Sequence, residues 1–122
     1  VVVNRENAEE ICSGIQNLPL KTFVATKSVH HVTEKDKVTQ EEITVFQDIM
    51  NCCERTVPIY DDLEEAIAFV LKEVQPGDVI LLAGCQGMDS GGKLLLEKLA
   101  DGKSEKEREE IMDSVKNRIC GI

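Results

Sequence analysis

Aromatic residues are scarce in this chain, 3% of 122 residues with no tryptophan. That removes the stacking platforms on which single-stranded nucleic acids are held. Basic residues are outnumbered as well, 14 against 23 acids for a net charge of −9, and no Lys/Arg cluster breaks the acidic balance. Binding to nucleic acid or to an anionic membrane surface is therefore not expected. No apolar run approaches the roughly 20 residues needed to cross a bilayer. The chain does not begin with methionine, and no charged segment precedes a longer apolar stretch, so Val1-Val2-Val3 does not read as a signal peptide. A start inside a strand suggests a fragment or a processed piece.

The CxxC spacing is missing too. Cys12, Cys52, Cys53, Cys85 and Cys120 are scattered or vicinal, and adjacent Cys52-Cys53 cannot easily serve one tetrahedral metal together. They fit reduced thiols in a cytoplasmic protein better than a disulfide or zinc framework. His30-His31 reads as a solvated loop pair, and no metal site is expected.

What is present is a chain 42% hydrophobic and long enough for one core, with strands and helices in alternation. Strands are expected at Val1–Asn4, Thr22–Ala25, Val57–Tyr60 and Val79–Ala83. The last lacks polar alternation and reads as buried on both faces. Helical spacing runs over Ala8–Leu18 and from Thr39 to Cys53 behind a Thr39–Glu42 capping box. It recurs from Leu63 to Val74 behind Asp61 or Asp62, over Gly91–Leu99, and from Ser104 to Ile119. Thr26 to Val38 reads as a loop, with a short ribbon at His31–Thr33. Alternation of this kind predicts a single α/β domain over 1–122, a three-layer α/β/α Rossmann-like fold. Its mostly parallel sheet has about four strands with helices on both faces.

The segment from Pro76 to Lys93, PGDVILLAGCQGMDSGGK, concentrates the functional signal. A strand feeding a glycine-rich turn and then a helix is how α/β proteins present ligands at the carboxyl ends of their strands. Gly87–Lys93 satisfies GxxxxGK, but Leu94 stands where a Ser or Thr hydroxyl would ligand Mg²⁺. Asp89 would also repel a phosphate. A phosphate cradle is therefore disfavoured. Ser90 marks the start of the following helix, and Asp89 is either its cap or a carboxylate aimed at a ligand.

Three segments in order, VVVNREN, IYDDLEEAI and GDVILLAGCQGMD, resemble the C-terminal domain of the Mur ligase superfamily. The likeness is to the UDP-N-acetylmuramoyl-tripeptide synthetase branch and covers residues 1 to 89. There an initial strand enters an Asp-Asn-Pro-Arg motif, a D-R-x-x-A-I helix follows, and the last core strand ends in GDVVLIAGKGHE. The resemblance implies the C-terminal, substrate-closing domain of an ATP-dependent amide ligase of peptidoglycan (cell-wall) biosynthesis, starting after the family domain's first strand and helix. ATP and Mg²⁺ would bind mainly to a central domain absent from this chain, so the isolated chain is expected to be inactive and to carry no catalytic residue. The implied partners are that central domain, a UDP-linked muramoyl peptide and an incoming amino acid.

Position by position, Asn7 matches the motif asparagine that helps hold the amino acid. Ala8 and Glu9 replace its Pro and Arg, removing a bidentate carboxylate clamp, so the usual diaminopimelate contact is not expected. Asp62 matches the Asp of the D-R pair, with Leu63 in place of its Arg. Gly84 and Gly87 match the loop glycines, with Cys85 and Gln86 where the family has one Lys. Asp89 falls where a Glu would meet the substrate ammonium. The expected substrate-binding set is Asn7, Gly84, Cys85, Gln86, Gly87 and Asp89. The competing reading is a stand-alone small-ligand-binding or regulatory module built on the Gly84–Gly92 loop. An unprotected sheet edge leaves a homodimer possible in either case.

Overall fold

The computed structural model describes residues 6–84 and 86–115. Five α-helices form there: α1 (Ala8–Gln16), α2 (Gln40–Cys52), α3 (Leu63–Glu73), α4 (Gly91–Leu99) and α5 (Glu105–Val115). Two short strands, β1 (Ala25–Thr26) and β2 (Ile59–Tyr60), pair in parallel with Ala25 opposite Ile59. The order β1–α2–β2 is one parallel crossover unit, the element predicted from alternation. The expected sheet of about four strands is not what the described residues form; theirs has two. The predicted Val1–Asn4 strand, Cys85, and the end of the last predicted helix lie outside the described residues.

Local chemistry sets the helix starts. Thr39 accepts from the Glu42 N–H at 3.3 Å while Glu42 Oε2 accepts from the Thr39 N–H at 2.8 Å, a reciprocal capping box. Ser104 and Glu107 repeat the arrangement ahead of α5, at 3.4 and 3.0 Å. α1 ends at Gln16, two residues short of expectation, and Leu18 is left 46% exposed.

Behind the capping box, Val45, Ile49 and Met50 form the buried stripe of α2, joined by Cys53. Ile11, Cys12 and Ile15 of α1 close over that stripe, and Phe23 and Val57 reach it from the segments preceding the strands. The Phe23 and Phe46 rings meet edge-on at a centroid distance of 6.3 Å. A second apolar seam joins α3 to α4 through Leu63, Ala66, Ile67, Leu96 and Ala100, all buried. Tyr60 of β2 stacks at a tilt on Phe69 of α3, 5.7 Å away.

The segment 79–83 departs from its predicted double-sided burial. It lies outside any ladder, with Val79 93% and Leu81 73% exposed. Ile80 and Leu82 are half-buried, so the side chains alternate inward and outward. An apolar run records that burial is available, not that a second layer exists to supply it. The segment nonetheless follows the direction of β1. At its start Asp78 pairs with Lys21, just before β1, at 3.0 Å, and at its far end Gly87 packs on Ser28, just after β1. The ribbon predicted at His31–Thr33 is also absent: residues 29–31 form a turn, followed by a 3-10 turn at Glu34–Asp36.

Candidate functional site

The two parallel strands end together, and their carboxyl ends carry a concentration of polar side chains. Backbone N–H groups of Ala25, Lys27 and Val29 donate to the carbonyls of Pro58, Tyr60 and Asp61 at 3.0, 2.8 and 3.1 Å. That ladder delivers the 27–31 turn beside the start of α3. Ser28, 4% exposed, is the one buried polar residue described and takes a left-handed φ of +48°. That conformation is unfavourable for a residue with a Cβ. Local bonds hold it: the Ser28 N–H donates to Thr26 Oγ1 at 3.0 Å, and the Ser28 carbonyl accepts from the His31 N–H at 2.8 Å.

The turn then reaches across to α3. His31 Nε2 meets Glu64 Oε1 at 3.1 Å, with the imidazole largely covered, and Lys27 pairs with Asp61. His30 Nε2 stands 3.1 Å from Asp62 Oδ1, an oxygen closed to solvent that takes no hydrogen bond. Asp62 is the N-cap residue of α3, as expected, although its side chain makes no capping bond. The Glu64 carboxyl is held below the usual carboxylate range first by its own backbone N–H. Partial burial opposes that, and the adjacent His31 adds to it.

The glycine-rich loop docks on this turn. A Cβ on Gly87 would lie 3.0 Å from Ser28 Cβ and 3.1 Å from Val32 Cγ1, closer than side chains ordinarily pack, so the loop backbone approaches the turn tightly. Met88 fills the inside of the loop: Cβ atoms on Gly84 and Gly91 would come within 2.9 Å and 2.8 Å of its side chain. The space in front of the first turn of α4 thus holds a thioether. Lys93 lies within α4 and faces Glu97 at 3.9 Å. The GxxxxGK spacing does not fold here as an open phosphate cradle.

The structure brings some of the predicted site residues together. Gly84, Gln86, Gly87 and Asp89 share the loop at the carboxyl ends of the strands, with Gln86–Met88 as a 3-10 turn. Gln86 and Asp89 are exposed, and the Asp89 N–H donates to the Gln86 carbonyl at 3.2 Å. Ser90, not Asp89, occupies the N-cap position of α4. Cys85 lies outside the described residues. Asn7 is the N-cap residue of α1, an element that packs on α2. Glu9, in the first turn of α1, is exposed.

The expected solvated pair His30-His31 is divided by the structure. His30 is exposed, whereas His31 is covered and paired with Glu64, a residue expected on a solvated helix face. Ser28 carried no signal in the sequence. The doublet His30-His31 followed by the acidic run from Asp61 to Glu65 was the available signal, but pairing them needs the β1–α2–β2 crossover.

An open groove of about 330 Å³ lies at the opposite, amino-terminal side of the strands. Lys21, Phe23, Arg55, Val57 and Phe69 are among its lining, and no residue of the 84–91 loop is. The Arg55 guanidinium is turned toward the Leu18 and Leu20 carbonyls at 3.5 Å, and Lys21 is engaged by Asp78. Among the described residues no group of three or more His, Cys, Asp or Glu is arranged to hold a metal ion, and no helix is long and apolar enough to cross a membrane. No family model matches this chain, and no curated protein matches it.

Proposed function

We propose that this chain is the C-terminal, substrate-closing domain of an ATP-dependent amide ligase of the Mur ligase type. The reading is carried by one observation: the glycine-rich loop is anchored on Ser28 at the carboxyl ends of parallel strands, with Asp89 left exposed on its rim. A module that binds a small ligand by itself encloses most of that ligand in a pocket. Here the polar groups stand on an open edge, as a surface completed by another domain would have them. In that role Asp89 receives the ammonium of the incoming amino acid, and the neighbouring glycines let the backbone approach the nucleotide edge.

The chemistry assigned to this chain is positioning. ATP and Mg²⁺, bound by a central domain, would activate a carboxylate as an acyl phosphate. The present residues would orient the amine that attacks it and exclude water on closure. In this reading segment 79–83 runs along β1 as a further parallel strand, extending the two-stranded sheet toward a Rossmann-like one. The linkage formed would belong to peptidoglycan precursors, with a UDP-linked muramoyl peptide or a similar substrate supplying the activated carboxylate and the amino acid the attacking amine.

Isothermal titration and a turnover assay on the isolated chain test the proposal together with the upstream reading frame. The expected result is no tight ATP binding and no ligation, with a GxxxxGK[ST] motif encoded upstream in the same frame. Tight ATP binding with turnover by the chain alone overturns it. A start codon immediately before Val1 favours the self-contained ligand-binding module instead.

A further inference from the structure

Two cysteines meet where α1 crosses the end of α2, with a third next in sequence, and the proposed ligase role uses none of them. Cys53 is the C-cap residue of α2 and is 8% exposed. Its Sγ donates to the Cys12 carbonyl oxygen at 3.4 Å, with the Cys12 thiol alongside. Cys12 is half-buried on α1, and Cys52 is exposed on the last turn of α2. All three are free thiols. The pair that touches is therefore remote in sequence, and the exposed thiol is the one left outside it.

We propose that Cys12 and Cys53 are a redox-responsive pair that closes to a disulfide under peroxide, stapling α1 to α2. The Cys12 thiolate attacks one peroxide oxygen, releasing hydroxide and leaving a sulfenic acid. The Cys53 sulfur then displaces hydroxide from that sulfenic acid, forming the S–S bond as the S–O bond breaks. The Cys53 proton passes to the leaving hydroxide as water. Two thiols lose two electrons in total, and one peroxide becomes two waters. Burial first, and the Cys12 thiol second, push the Cys53 thiol up to about 11. Cys12, the less buried of the two, is the thiol a peroxide reaches, which gives it the attacking role and leaves the buried Cys53 as the resolving partner. Cys52 and Cys53 are poor partners for each other, because an adjacent-residue disulfide demands a tight ring that helical backbone at Cys52 does not allow. The pair rests on the α1–α2 seam alone and stands or falls independently of the ligase reading.

The experiment is mild hydrogen peroxide treatment of the whole chain, followed by intact-mass measurement, peptide mapping and thermal melting. The expected product has lost two hydrogens and yields a peptide linked through Cys12 and Cys53. Because the bond closes a long loop between two packed helices, Tm rises by about 5 °C or more, and dithiothreitol reverses the change. Cys12→Ser and Cys53→Ala abolish the linkage, the alanine keeping the buried site small and apolar, while Cys52→Ser retains it. A linkage through Cys52, Cys85 or Cys120, or oxidation to sulfinic acid without any linkage, overturns the proposal.

Discussion

Two apolar runs of this chain have opposite fates. In α2, Val45, Ile49 and Met50 are at most 5% exposed, whereas Val79 and Leu81 stand almost free in a segment outside any ladder. Their side-chain chemistry is similar, and what differs is the cover. α2 has α1 laid across it, with Phe23 and Val57 meeting its stripe. Segment 79–83 has its inward pair, Ile80 and Leu82, half-buried, and its outward pair faces no described layer. Burial is a property of two surfaces, and a run of valine and leucine supplies only one.

The covered side of that contrast includes the α3–α4 seam, and its largest test is Leu63→Ala. Leu63 is 1% exposed at the first position of α3, and its loss should cost about 2–5 kcal/mol in urea unfolding. A cost below about 1 kcal/mol would mean that the α3–α4 seam is not the packed half it is taken to be. Gly87→Ala should cost about 1–3 kcal/mol, since the new Cβ meets Ser28 and Val32 at 3.0 and 3.1 Å. Amide resonances of residues 28–32 should shift in that variant. If they do not move, the loop is not docked on the turn.

Proton linkage gives the next effect, with opposite signs at the two ends of the pH range. The Glu64, Asp78 and Glu107 carboxyls are all held low. Glu64 owes this first to its own N–H, Asp78 to the Gln75 N–H and then Lys21, and Glu107 to Ser104. The stability they add is present above the ordinary carboxylate values and is lost as pH falls through the depressed folded ones. Cys53 is raised from 9.0 to about 11, chiefly by burial. The folded chain keeps a proton that the unfolded chain has released, so this contribution is full below pH 9.0 and declines toward about 11. Urea midpoints measured across pH should fall at both ends, and Cys53→Ala should remove the alkaline decline alone. The smallest effect belongs to Val79→Ala and Leu81→Ala, each expected within about 0.5 kcal/mol. A loss above about 1.5 kcal/mol at either would place a covering layer over the segment and erase the contrast.

The parts legible from sequence are those written in local spacing. The Thr39–Glu42 and Ser104–Glu107 boxes, the burial of Ile49, Met50 and Cys53 and the start of α4 all follow from residues a turn or two apart. β2 falls inside its expected range, while β1 begins three residues late, at Ala25. The glycine-rich loop was legible as a turn leading into a helix, and Gly87 stands beside Ser28 at the carboxyl ends of β1 and β2, although the strand expected before it does not form among the described residues. What escaped were the long-range pairings. His31 and Glu64 lie 33 positions apart, and Ser28 owes its left-handed backbone to the loop around it rather than to its residue type. The exposure of Val79 and Leu81 belongs with these, because it depends on whether another element arrives to cover them.

The proposed role has Asp89 receiving the amine of the incoming amino acid at an exposed edge that a second domain would complete. Steady-state kinetics of the parent ligase carrying Asp89→Asn measure that most directly. A carboxylate that receives the ammonium predicts a KM for the amino acid raised roughly tenfold, the loss of one charge-assisted contact, with the KM for ATP unchanged. An unchanged amino-acid KM would contradict it.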